Sequence, residues 1–126
     1  MIYGIGTDIT EIKRIERATI RNKNFINKLF TKNEVEAWEK KNFNIEFIAG
    51  RFAAKEAISK ALGTGIRGFN FKDIEIINNK LGKPEVILKP RAEGIIKKIS
   101  RDYKIHLSIS HEKEYAIAYA LLEVFI

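Results

Sequence analysis

Apolar and polar positions along the chain change their period between its two halves, and the change separates helices from strands. Ile2 to Thr7 is a short apolar run with two glycines and predicts a strand. Asp8 with Glu11 three residues on has the spacing of a capping box, so a helix is expected to start there. Ile12, Ile15 and Ala18 then share one side of that helix. Lys13, Arg14, Arg17 and Arg21 fall within an arc of about 100° on the other. Thr31 and Glu34 repeat the capping-box spacing and predict a helix through Trp38. A third helix is expected from about Glu46 to Leu62, with Gly63 ending it. Strands follow at Ile74 to Ile77 and Glu85 to Leu88, around a turn that closes on Gly82-Lys83-Pro84. Arg91 to Ser100 reads as a helix. Ile105, Leu107 and Ile109 alternate with His106, Ser108 and Ser110 as in a half-buried strand, and Tyr115 to Leu122 forms the last strand. The order β-α-α-α-β-β-α-β-β predicts an α+β fold, an antiparallel sheet packed against helices.

Composition narrows the possibilities. At 126 residues, 45% hydrophobic and 31% charged, one globular domain over residues 1–126 is expected. No cysteine is present, which excludes disulfides, thiolate zinc sites and thiol catalysis. No apolar run approaches the ~20 residues that span a bilayer, and the first ten residues lack the pattern of a secretory signal. The expected location is cytoplasmic, away from membranes. A formal charge of +7 favours anionic partners without choosing among them.

The segment EFIAGRFAAKEAISKALG carries the most chemistry. Its apolar residues go nearly all round the helical wheel, as in a buried helix, yet Arg51, Lys55, Glu56 and Lys60 lie within it. Buried charge is costly unless paired or bound to a ligand. Glu56 and Lys60, at i and i+4, are placed to form a salt bridge. That pairing leaves Arg51 and Lys55 unexplained, and a phosphate site is the alternative. Gly63-Thr64-Gly65-Ile66-Arg67-Gly68 matches the dinucleotide fingerprint but closes a helix instead of opening one, which rejects a Rossmann reading. A glycine loop beside Lys60 still lets backbone N–H groups approach an anion.

Asp8 has two readings, a helix N-cap or one of two metal ligands with Glu56; Mg²⁺ typically takes one or two protein carboxylates and leaves its other positions to water and phosphate. Ser108-Ile109-Ser110-His111 ends a strand. A Ser-His-Asp triad is disfavoured, because no nucleophile elbow is present and adjacent Ser and His point to opposite faces. His111 is then either a solvent-exposed strand end or a phosphate contact.

Taken together these segments resemble one family, the small bacterial holo-[acyl-carrier-protein] synthases, which are 4′-phosphopantetheinyl transferases. The resemblance rests on Gly6-Thr7-Asp8-Ile9 with Arg14-Ile15, on Thr31 and Glu34, and on Phe52-Ala53-Ala54-Lys55-Glu56-Ala57 with Lys60-Ala61-Leu62-Gly63-Thr64-Gly65. Gly82-Lys83-Pro84 and Ser108-Ile109-Ser110-His111 with Ala116, Ala118 and Ala120 complete it. Residues 20–44 match only loosely.

The resemblance implies transfer of the phosphopantetheine arm of coenzyme A to a serine of apo acyl carrier protein, releasing adenosine 3′,5′-bisphosphate, in fatty-acid synthesis. It implies Mg²⁺ held by Asp8 and Glu56, and phosphate held by Lys60. Arg51, Gly63, Pro84 and His111 would line the coenzyme pocket, and Arg14, Arg17 and Arg21 would meet the acidic carrier. The serine's proton would go to Glu56 or to a metal-associated water. A homotrimer with active sites between subunits is also implied. Two other classes compete. A nucleic-acid module is disfavoured because Phe47, Phe52 and Phe69 read as core and no strand of exposed aromatics is present. A non-catalytic coenzyme A binder would have no use for both Asp8 and Glu56.

Overall fold

The computed structural model describes residues 1–125, which leaves Ile126, the last residue of the expected domain, outside the described part. Its elements are β1 (Ile2–Glu11), α1 (Ile12–Arg21), α2 (Phe25–Leu29), α3 (Lys32–Lys40) and α4 (Ile45–Ala61). A 3-10 turn (Phe71–Asp73) then leads into β2 (Ile74–Asn78), β3 (Pro84–Leu88), α5 (Pro90–Lys97), β4 (Asp102–His111) and β5 (Tyr115–Phe125). This is the α+β architecture expected from the sequence. Two antiparallel sheets are formed, a three-stranded one in the order β1-β5-β4 and the β2-β3 hairpin.

The first helix starts later than its capping-box spacing predicts. β1 runs on through Asp8 and stays paired with β5 to its end, where Glu11 lies opposite Tyr115. Helix α1 begins at Ile12, and its cap residue Glu11 makes no side-chain capping bond. The backbone groups that Asp8 would have capped are engaged in the sheet, so its side chain is free for other contacts. The Thr31–Glu34 capping box, in contrast, forms with both of its bonds and starts α3. Gly63 follows the end of α4 at φ 87°, as a helix-terminating glycine does. Helix α2 was not expected; five residues with one buried side chain, Ile26, carry too little periodicity to be read.

Helix α4 lies across the inner face of the three-stranded sheet, chiefly over β1 and β5. The sheet makes room by presenting small residues. β5 alternates Ala116, Ala118, Ala120, Leu122 and Val124 inward, and all five are buried. On β1 the accommodation is more extreme. A Cβ on Gly6 would fall on the carbonyl oxygen of Ala57, and one on Gly4 on that of Ala61. Strand and helix backbones therefore touch directly, an approach only glycine permits. The outer face of the same sheet exposes Tyr3, Ile5, Ile9, Tyr115, Ile117 and Tyr119, with Ile9 opposite Ile117 and Thr7 opposite Tyr119.

A methyl group at Gly6 has no flexible neighbour to displace, so Gly6→Ala is expected to cost on the order of 3 kcal/mol and to lower the melting temperature by roughly 10 °C. Gly94→Ala, in α5 with nothing within 4 Å of the added carbon, is expected to leave melting unchanged or raised. Thermal unfolding of both variants checks this; equal melting temperatures would contradict it.

Candidate active site

The direct contact between β1 and α4 sets Asp8 against the C-terminal half of the helix. Asp8 shares the inward parity of Gly6 and Thr10 and lies opposite Ala118. The buried Thr10 hydroxyl donates to Asp8 Oδ2 at 2.7 Å, which fixes the carboxylate plane. Lys60 reaches over from α4. Its Nζ donates to the Thr7 carbonyl at 2.9 Å and stands 3.6 Å from Asp8 Oδ1. Lys60 thus pairs with Asp8 across the strand–helix contact and not with Glu56 one turn before it. Glu56 is half-buried beside them, and its pKa is raised, first by burial and then by the charge of Asp8; Lys60 and Arg14 pull it partly back. Two carboxylates and one ammonium converge here, and the basic face of α1 borders them through Arg14. Arg17 and Arg21 lie farther along that exposed face, with Arg17 pairing to Glu11 at 3.2 Å.

A second group forms at the other edge of the sheet. Arg51 is only 6% exposed. Its guanidinium lies 4.6 Å from the Phe47 ring centroid, and Nη2 donates to Asn78 Oδ1 at 2.6 Å. Nη1 is buried with no partner among the described residues. Burial pulls the Arg51 pKa down, while the charge of Glu34 pushes it back up. Nη1 keeps an unused, charged donor. The adjoining cavity, of about 320 Å³, is lined by Phe47 and Arg51 of α4, Pro84 of the hairpin and His111 of β4, with Lys41 and Asn44 at the turn before α4. His111 is the last residue of its strand and lies opposite Ala116, which sets it on the helix side of the sheet.

The structure therefore brings Asp8, Glu56 and Lys60 together, and Arg51, Pro84 and His111 together, but keeps the two groups apart. β5 runs between the strands that carry Asp8 and His111, and none of the three acid-side residues lines the cavity. Gly63, expected at the coenzyme pocket, does not line this cavity; it follows the end of α4, three residues after Lys60.

Lys55, left unexplained by the sequence, is not part of a phosphate site: its side chain is fully buried and paired with Glu34 at 2.7 Å. Three contacts that shape these sites were missed, those of Thr10 with Asp8, of Asn78 with Arg51 and of Glu34, read only as a cap and a motif residue, with Lys55. Thr10 is legible once Asp8 is placed on a strand, because residues i and i+2 share a face. Asn78, the partner of Arg51, and Glu34, the partner of Lys55, are 27 and 21 positions away from their partners, beyond any local pattern.

The raised pKa of Glu56 makes a signed prediction. A carboxyl whose folded pKa exceeds its unfolded value destabilises the fold once ionised, so stability falls as pH rises from about 4.5 through the folded pKa. In metal-free protein, Glu56→Gln is expected to melt higher than the parent at pH 7 and to lose that advantage near pH 4. Melting curves across this range check it; an advantage that grows on acidification would contradict it.

Comparison with known proteins bears directly on this arrangement. Residues 4–120 match the family model of the 4′-phosphopantetheinyl transferase superfamily. A holo-[acyl-carrier-protein] synthase of Clostridium perfringens is 58% identical over 126 residues, covering 98% of this chain and 95% of that protein. Among solved structures, the holo-[acyl-carrier-protein] synthase of Neisseria meningitidis superposes with a TM-score of 0.87 at 38% identity, over 98% of this chain and 99% of that one. The Bacillus anthracis enzyme in complex with coenzyme A (3′,5′-ADP) superposes with a TM-score of 0.80 at 43% identity, over 99% of both chains. The agreement runs nearly the length of the chain, and so this chain belongs to the 4′-phosphopantetheinyl transferase superfamily, among its holo-[acyl-carrier-protein] synthases.

Proposed function

We propose that this chain transfers the 4′-phosphopantetheine arm of coenzyme A to a serine hydroxyl of apo acyl carrier protein, in the cytoplasm and for fatty-acid synthesis. The observation that carries the reading is the cavity at Arg51. A buried, partnerless guanidinium nitrogen, an imidazole at His111 and a proline wall at Pro84 suit the phosphates and base of a nucleotide. The relative from Bacillus anthracis with coenzyme A bound supports it.

In the reaction the serine oxygen attacks the pyrophosphate phosphorus that bears the pantetheine arm. The bond to the other phosphate breaks, and adenosine 3′,5′-bisphosphate leaves. Such a transfer asks for positioning and charge neutralisation more than for covalent chemistry. Arg51 and His111 hold the nucleotide end. Lys60, fixed at the Thr7 carbonyl, directs its ammonium at the pyrophosphate and offsets charge on the leaving group. The serine proton goes to Glu56 or to a water beside it. Asp8 and Glu56 suit a hard divalent cation such as Mg²⁺. Burial first and the neighbouring Asp8 charge second raise the Glu56 pKa, and among the described residues no group of three His, Cys, Asp or Glu forms, so substrate phosphate and water would fill the other positions. When bound, that ion supplies neutralisation of the pyrophosphate. Arg14, Arg17 and Arg21 meet the acidic surface of the carrier and chiefly accelerate encounter.

A single chain holds the acids and the cavity at opposite edges of its sheet, so the full site forms between copies, the cavity of one against Asp8 and Glu56 of the next. The outer sheet face, with Ile5, Ile9, Ile117 and Tyr119 exposed, is the apolar surface available for that assembly, and the family resemblance makes it a homotrimer. Incubation with coenzyme A, Mg²⁺ and apo carrier, followed by mass spectrometry, is expected to add one phosphopantetheine to the carrier. Chelation of the metal or Asp8→Asn is expected to abolish the addition. A folded protein that leaves the carrier unmodified would overturn the reading, and full activity of Asp8→Asn would overturn the metal assignment.

A further inference from the structure

A helix that is apolar all round cannot choose by burial alone which face it turns to its sheet. Helix α4 is such a helix: eleven of its seventeen residues are buried, and these are spread around its circumference. Its chemistry nevertheless depends on rotation. Consecutive residues differ by about 100° around the axis, so a modest turn moves Glu56 and Lys60 off Asp8. Gly4 and Gly6 set how closely the strand approaches, but a glycine contact is smooth and makes no directional bond with the helix.

The Lys60 bond to the Thr7 carbonyl is made by a half-exposed side chain; the fully buried directional contact is on the opposite side. The Lys55 ammonium is fully buried and spends all three of its donors, on Glu34 Oε1 at 2.7 Å, the Ile74 carbonyl at 2.6 Å and the Phe71 carbonyl at 2.9 Å. Glu34 is equally committed. Oε1 also accepts the Thr31 N–H at 2.8 Å, and Oε2 accepts the Ile76 N–H at 3.0 Å. The pair therefore joins four pieces of chain: the start of α3, the middle of α4, the 3-10 turn and β2. Arg51, one turn earlier on the same face of α4, extends the connection to Asn78 at the end of β2.

Burying such a pair gains little stability over apolar residues of similar volume. What it adds is direction. We propose that Glu34 and Lys55 act as positioning residues for phosphopantetheine transfer: their buried ion pair indexes the rotation of α4, so that Glu56 and Lys60 face Asp8 while Arg51 faces the nucleotide cavity. Neither residue touches substrate. The inference rests on the assignment of Asp8, Glu56 and Lys60 to the transfer step.

The test is the double variant Glu34→Gln/Lys55→Met, which removes both charges of the pair and keeps nearly the same volume. It is assayed well below its melting transition after cooperative unfolding confirms the fold. The expected result is a kcat lower by about 10- to 100-fold with an unchanged KM for carrier protein, whose docking face on α1 is elsewhere. A merely structural pair would lower the melting temperature and leave kcat in the folded protein unaltered. Should the double variant not fold, Glu34→Gln alone serves. All three donors aimed at the Glu34 carboxylate need acceptors, and an amide must present an N–H to one of them. Its kcat is expected to fall about tenfold, again without a change in carrier KM. Parental kcat in a folded variant, alongside an inactive Asp8→Asn, overturns the indexing role and leaves the site assignment standing. An active Asp8→Asn overturns that assignment, and the inference with it.

Discussion

Everything chemical in this fold hangs on the direct contact of β1 with α4. Gly4 and Gly6 bring the strand backbone against the carbonyls of Ala57 and Ala61, and no other residue type fits there. The contact draws the next inward-facing side chain of the strand, Asp8, against Glu56 and Lys60 of the helix. Any Cβ at these positions would push the two elements apart and open the acid pair. The alanines of β5 extend the same principle across the sheet, since small inward residues let the helix lie low over the central strand.

Four of the five charged residues of helix α4 meet four different demands. Lys55 is buried and spent on structure. Arg51 is buried but half spent, with one nitrogen on Asn78 and one left over. Lys60 is half-exposed, tethered to Thr7 and Asp8. Glu56 is desolvated beside a like charge and is correspondingly ready to bind a proton or a cation. A helix this apolar tolerates such a load because the charges leave it in two directions, Arg51 and Lys55 toward the hairpin side and Glu56 and Lys60 toward the strand.

Much of this was legible in the chain. The Thr31–Glu34 cap, the alternation from Ile105 to Ile109 and the glycine stop at Gly63 are local signals, and local physics realises them. Asp8 shows the limit of such signals. Asp-x-x-Glu is a sound helix start by spacing, but pairing of Glu11 with Tyr115, from the far end of the chain, keeps the segment in the sheet. The same limit hid the fate of Lys55, whose partner is set by tertiary packing. Convergence of Arg51, Pro84 and His111 on one cavity came from family resemblance alone; no spacing rule joins a helix, a hairpin and a strand end. Short α2 carried no readable period at all.

Transfer by this protein depends on a division of labour between two edges of the sheet. If the cavity of one copy serves the acids of its neighbour, two defects in different chains can cancel. Asp8→Ala chains keep an intact cavity, and Arg51→Met chains keep intact acids; each alone is expected to be inactive. Unfolded together and refolded into mixed assemblies, with mixing confirmed by native mass spectrometry, they are predicted to regain phosphopantetheine transfer that neither parent shows. Mixed assemblies as inactive as their parents would contradict a site shared between subunits.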